Sequence, residues 1–94
     1  MIILKLHAVQ RMAKRKILPQ DVANTIENGE IIEKYPDSKP LPSRLLLAFS
    51  GTRPIHIVVA NHPQNSEDIY VITAYEPNLS EWETGFRKRR RKDQ

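Results

Sequence analysis

The chain has 94 residues, no cysteine and a formal net charge of +4 at pH 7. That length makes one domain with one modest core, and the lack of cysteine excludes a disulfide framework and thiolate metal ligation. The charge is local. Residues 1–86 hold nine Lys or Arg against ten Asp or Glu, and residues 87–94 hold six against one, so patches rather than bulk charge set any field a ligand meets.

Ile2 to Leu6 is an apolar run interrupted by Lys5 and reads as a short strand. It is too short for a signal h-region, and no stretch reaches the length of a membrane span, so a cytoplasmic, soluble protein is expected. A helix follows from about His7 to Lys16. At about 100° per residue, His7, Arg11, Lys14 and Arg15 fall on one face, and Val9, Met12 and Ala13 form the opposite, core-facing stripe. A histidine moves protons near neutral pH and arginines hold phosphate, although outward Lys and Arg also serve simply to solvate a helix. Pro19 suits the first position of a second helix. Asp21 sits in its first turn, Val22, Ala23 and Ile26 form its apolar face, and Asn28-Gly29 stops it.

From Glu30 the pattern turns to strands: Glu30–Tyr35, Ser43–Ser50, Arg53–Asn61 and Ile69–Tyr75. A proline-rich loop with Pro36, Pro40 and Pro42 separates the first two, and Gly51-Thr52 turns the next pair into a hairpin. Ser80 with Glu83 suggests a capping box for a short helix through Phe86. The order β-α-α-β-β-β-β predicts an α+β domain over residues 1–86, with a helical hairpin on one face of a mainly antiparallel sheet. Residues 87–94 form a basic block of the kind that is usually disordered.

Alternation places His56, Val58 and Ala60 on one strand face, and Val71, Thr73 and Tyr75 together on a face of the last strand. His56, Thr73, Tyr75 and Arg44 are the polar groups a helix-free sheet face would present. A histidine in an apolar strand is also a common core residue. His7, His56 and His62 lack metal-ligand spacing and there is no glycine-rich phosphate loop, so no metal or cofactor is expected. Trp82 and Phe86 either stack on bases or anchor the C-terminal segment. Arg87, Arg89 and Arg90 attract phosphate without reading sequence.

The strings His7-Ala8, Arg11-Met12, Arg15, Asp21-Val22, Asn28-Gly29-Glu30, Tyr35-Pro36-Asp37, Arg53-Pro54-Ile55-His56-Ile57-Val58-Val59 and Thr73-Ala74-Tyr75-Glu76-Pro77 closely resemble the small bacterial proteins of the DUF4258 family. Leu18 departs from that pattern, which often has Ser or Thr as the cap before the second helix. The family in turn is similar in size and element order to RelE/ParE-like and BrnT-like toxins. That similarity implies a RelE-like fold and the toxin of a type II toxin–antitoxin module, a metal-independent endoribonuclease acting on mRNA, free or ribosome-associated, with a small antitoxin as partner. On this reading His7, His56 and Tyr75 are catalytic, and Arg11, Lys14, Arg15, Arg53, Arg87, Arg89 and Arg90 hold RNA. Placing His7 and His56 on one phosphate requires the start of the first helix to lie near the middle of the Arg53–Asn61 strand. The alternative is a non-catalytic RNA- or protein-binding module. The sequence specifies no oligomeric state.

Overall fold

The computed structural model describes residues 1–91. Five strands and two helices follow in the order β1 (Ile2–Leu4), α1 (Leu6–Arg15), α2 (Pro19–Asn28), β2 (Glu30–Tyr35), β3 (Ser43–Ser50), β4 (Arg53–Asn61) and β5 (Ile69–Tyr75). They make an α+β domain. The sheet order is β1-β5-β4-β3-β2, antiparallel throughout except for the parallel β1–β5 pair. The helices lie on one face, α1 over β5 and α2 over β3 and β4. No helix among the described residues is long and apolar enough to cross a membrane.

The core between helices and sheet is built from Ala8, Met12, Ile17, Val22, Leu46, Ile55, Ile57, Val59, Val71 and Ala74. Two expectations for the helices need correcting. In α1 the buried stripe is Ala8 and Met12, while Val9 and Ala13 are exposed. The helix is rotated so that Arg11 is half-buried and Arg15 reaches back to Ala74 O of β5 instead of both pointing straight away from the sheet. In α2 Ala23 is exposed and Thr25 is buried, its hydroxyl donating to Asp21 O at 2.7 Å. The absent Ser or Thr cap at Leu18 is compensated from inside the helix. The Asp21 carboxylate accepts the Leu18 N–H at 3.0 Å, satisfying one orphan donor and placing negative charge at the positive helix end.

The α1 C-terminus closes with Lys16 in the left-handed region (φ 56°) and its N–H returned to Met12 O. Gly29 ends α2 for steric reasons: a Cβ there would lie 2.3 Å from Thr25 O and 3.0 Å from Leu47 O.

Each of two strands carries one extra residue. In β2, Ile31 pairs with Leu46 and Glu33 with Leu45, leaving Ile32 as a bulge. In β5, Val71 pairs with Val59 and Thr73 with Val58, leaving Ile72 as a bulge. Strict alternation in β5 is thereby broken. Val71 faces the helices with Ala74, whereas Thr73 and Tyr75 face the other side, so the expectation that Val71, Thr73 and Tyr75 share a face does not hold. Arg44, paired with Val59, falls on the helix side, where it donates to Asn61 Oδ1 at 2.7 Å.

The short helix expected from Ser80 to Phe86 is replaced by a tight hairpin over residues 81–90. Asn78 Oδ1 accepts from the Ser80 and Glu81 amides at 3.0 and 3.2 Å, starting a turn. Gly85 (φ 94°) and Phe86 (φ 61°) then reverse the chain. Glu83 N donates to Lys88 O at 2.8 Å, and Arg90 N to Glu81 O at 2.8 Å. This hairpin lies on the sheet face opposite the helices and covers its His56 end, leaving the Val58–Ala60 end open. Lys92, the last cation of the basic block, lies outside the described residues.

Candidate functional site

The hairpin is pinned to the sheet by Trp82, which is fully buried, with its ring centroid 4.4 Å from that of His56 at 86°. His56 is itself fully buried and paired across the strands with Tyr75. Its Nε2 lies 2.9 Å from Phe86 O, and its Nδ1 3.2 Å from the Tyr75 hydroxyl. A carbonyl can only accept. Nε2 therefore carries the proton, and Nδ1 accepts from the Tyr75 O–H. Burial lowers the His56 pKa from its ordinary value, outweighing the Phe86 hydrogen bond that favours the charged form. Burial also pushes the Tyr75 phenol up to about 12, so it remains protonated and keeps that donor.

The bulge in β2 turns both Glu30 and Glu33 to the hairpin. Arg87 Nε donates to Glu30 at 2.8 Å and Arg89 Nε to Glu33 at 3.0 Å. The Tyr35 hydroxyl donates to Glu33 as well; burial and this carboxylate raise the Tyr35 pKa. The Arg89 guanidinium also stacks over Trp82, 4.6 Å from the ring centroid. Arg90 donates to Leu79 O. Arg87, Arg89 and Arg90, read from the sequence as RNA-binding groups, thus spend some of their donors on the protein itself.

Arg53 does so more fully. Nη1 donates to Lys16 O at 2.9 Å, Nη2 to Arg15 O at 2.6 Å, and Nε to Glu76 at 2.7 Å. It caps the carbonyl end of α1, where a cation offsets the helix dipole.

Around this framework the structure brings four of the sequence candidates to one cleft. Arg11, Arg15, Tyr75 and Arg89 line about 460 Å³ together with Glu76, Asn78, Glu81 and Trp82. Arg15 is held there by a hydrogen bond from Nη1 to Ala74 O at 3.2 Å. Arg11 and Arg15 also line an adjoining hollow of about 330 Å³ with His7, Gln10 and Lys14. The two share those arginines, so a basic track runs along α1 from His7 past Arg11 and Arg15 to Tyr75 and Arg89. Glu76 is engaged by Arg53, which leaves Glu81 as the second carboxylate on the rim.

His7 and His56 are not on the same cleft. The hollow that His7 shares with Arg11 has neither His56 nor Tyr75 on its wall. His56 lies behind Tyr75 under Trp82, so it touches the track through the Tyr75 hydroxyl. Thr73 Oγ1 is buried and has no hydrogen-bond partner among the described residues. No group of three or more His, Asp or Glu side chains among the described residues is arranged to hold a metal ion.

Sequence reasoning did not single out Glu30, Glu33 and Tyr35, which anchor the hairpin, or Glu81 and Asn78, which border the cleft. The bulge that aligns the two glutamates leaves no signal in composition. The Asn78-Leu79-Ser80 turn could have been read from the side-chain preference of Asn for capping its own following amides.

The family model described as "Domain of unknown function (DUF4258)" matches residues 4–76. No curated protein and no solved structure matches the chain.

Proposed function

The chain belongs to the DUF4258 family, and from that premise we propose that it is the toxin of a bacterial toxin–antitoxin module, a metal-independent endoribonuclease acting on mRNA. The observation that carries the proposal is the convergence of Arg11, Arg15, Arg89 and Tyr75 on one cleft, continuous with His7. Metal-free cleavage lets the ribose 2′-OH attack the neighbouring phosphate. It requires a group to take that proton, cations for the extra charge of the pentacoordinate phosphorus, and an acid for the leaving 5′ oxygen. Arg11 and Arg15 supply the cations from a helix braced on the sheet, and Arg89 supplies a third from the hairpin. His7, exposed at the start of α1, takes the 2′-OH proton as the P–O bond forms, and water on this open face protonates the 5′ oxygen as the old P–O bond breaks. Tyr75 stays protonated and donates its O–H hydrogen bond to His56, which leaves its oxygen lone pairs to the cleft, where they accept from a 2′-OH or a base edge. His56 then has the role of positioning Tyr75, not of transferring a proton to RNA. An acidic antitoxin would complement the same basic track.

The burial of His56, with both ring nitrogens engaged inside the protein, favours a second reading: a non-catalytic RNA-binding module. Induced expression of wild type beside His7→Ala, with growth and mRNA integrity followed together, separates the two. Arrest with mRNA cleavage by wild type and not by His7→Ala is expected, and the purified chain should cleave RNA in excess chelator. Retained cleavage by a folded His7→Ala protein removes His7 from the mechanism. Intact mRNA with RNA still bound leaves the binding module.

A further inference from the structure

A separate cleft of about 650 Å³ opens at the proline-rich loop, on the sheet face away from the helices. Its floor is apolar: Val58 and Ala60 from β4, Ile72 from the β5 bulge, and the half-buried ring of Tyr70. Its rim is basic. Lys5 and Lys39 reach it from opposite sides and His7 closes one end, whereas no Asp or Glu lines it. Neither lysine forms an ion pair among the described residues. Lys5 Nζ rests 4.4 Å from the centre of the Tyr70 ring, and the His62 ring lies 5.7 Å from it, tilted by 35°.

The two halves of this cleft ask for different things. An inorganic anion has no use for the apolar floor, and a neutral apolar ligand has none for two lysines without counter-ions. A planar ring bearing an anionic group satisfies both. We propose that the cleft is a nucleotide-binding site, taking the base against Tyr70 and the phosphate between Lys5 and Lys39. Base stacking on an aromatic side chain is the stronger contact, and an exposed cation–π contact the weaker. An incoming base therefore displaces Lys5 from the ring, and the long side chain swings to the phosphate. His7 borders both this cleft and the arginine track. A strand whose phosphates lie on Arg11 and Arg15 continues past His7 and seats its next base on Tyr70. The nucleotide is then part of an RNA strand or a free mononucleotide. The strand version rests on the RNA reading above; the mononucleotide version does not.

The test is an NMR titration of the full chain with adenosine 5′-monophosphate and, separately, with a short single-stranded RNA, for wild type, Tyr70→Leu and Lys39→Gln. Saturable shifts at Ala60, Tyr70 and Ile72 are expected. Their appearance with the mononucleotide identifies a free-nucleotide site, and their appearance with RNA alone identifies a strand subsite. Tyr70→Leu should weaken binding about five- to hundredfold, the range for loss of one base–aromatic stack. Lys39→Gln, on an exposed loop, should weaken it with a reduced salt dependence. Shifts confined to the Arg11–Tyr75 cleft, an unchanged affinity in both variants, or a cleft that takes an acidic aromatic peptide and neither nucleotide ligand would overturn the proposal. RNA cleavage with the Tyr70 cleft unperturbed overturns this inference alone. A nucleotide bound there by a chain that cleaves nothing overturns only the ribonuclease reading.

Discussion

Lowering the pH from 7.5 to 5.5 is expected to destabilise the protein through His56, by an amount the structure bounds. In the native state the ring is neutral, buried between Trp82 and Tyr75, and its pKa lies below the ordinary value of 6.5 because burial disfavours the cation. In the unfolded chain the same group titrates near 6.5. The unfolded state then binds more protons than the native state at every pH between the two values. Stability contributed by the neutral ring is complete above 6.5 and is lost as pH falls from there towards the folded pKa. The loss is at most about 1.4 kcal/mol per pH unit. A domain of this size has roughly 5–15 kcal/mol in total, so the effect is measurable. Trp82 is the single tryptophan and sits on the ring in question, so its fluorescence reports unfolding at the right place. Urea titrations at pH 7.5, 6.5 and 5.5 would be run on wild type and on His56→Gln, which keeps a donor and an acceptor but does not titrate. The comparison uses the pH slopes, so any fixed cost of the substitution cancels. The wild type should lose more stability than the variant below pH 6.5. Parallel slopes, or a wild type that gains on the variant in acid, would show that His56 is not held neutral by burial.

Gly29→Ala should cost about 1–3 kcal/mol or more in chemical denaturation, because the new Cβ meets the Thr25 and Leu47 carbonyl oxygens and neither backbone can yield cheaply. Asp21→Ala should cost about 1 kcal/mol by removing the acceptor for the Leu18 N–H, seen as a lowered Tm; an unchanged Tm would mean that solvent replaces this cap without loss. Arg89→Ala should cost about 1 kcal/mol, since the arginine end of its ion pair with Glu33 is exposed and the rest of the loss is its stack on Trp82. The same variant should reduce the slope of log K against log salt for single-stranded RNA by about 0.7, and a slope equal to wild type would remove Arg89 from the RNA surface.

Much of the fold was readable because its punctuation is strong. Pro19 and Gly29 bracket α2, Gly51-Thr52 marks the β3–β4 turn, and alternating or continuous apolar runs delimit β2 to β5. The arginine pair of α1 was readable from helical spacing alone, and the structure brings Arg11 and Arg15 to one cleft with Tyr75. Other features were hidden by competition between local signals. Ser80 and Glu83 match a capping box, but the Asn78 carboxamide takes the amides first, and Gly85 and Phe86 adopt left-handed angles that no helix continues through. The rotation of α1 buries Ala8 and exposes Val9, a choice that a hydrophobicity pattern, which ranks Val above Ala, does not make. Arg53 was read as a phosphate clamp because its charge is visible in sequence, while the α1 carbonyls it caps are not.

The least readable step is also the one on which the site depends. Side chains in a regular strand change face at every residue, so Glu30 and Glu33 would fall on opposite faces, and Val71 and Tyr75 on the same one. Under that rule Arg87 and Arg89, two residues apart in an extended segment, would not both find a carboxylate on the same side of the sheet. Tyr75 could join His56 only if Val71 left the core. The two bulges remove both conflicts. One extra residue at Ile32 brings Glu30 and Glu33 together under the hairpin, and one at Ile72 keeps Val71 among the helices while Tyr75 crosses to His56. Each bulge leaves the chemistry of the sequence unchanged and alters only the parity of its strand. The first bulge lets the hairpin settle and bury Trp82 over His56. The second makes Tyr75 the link between that buried histidine and the arginines of α1. The candidate site is therefore a consequence of register, and register is the property that residue types alone specify least.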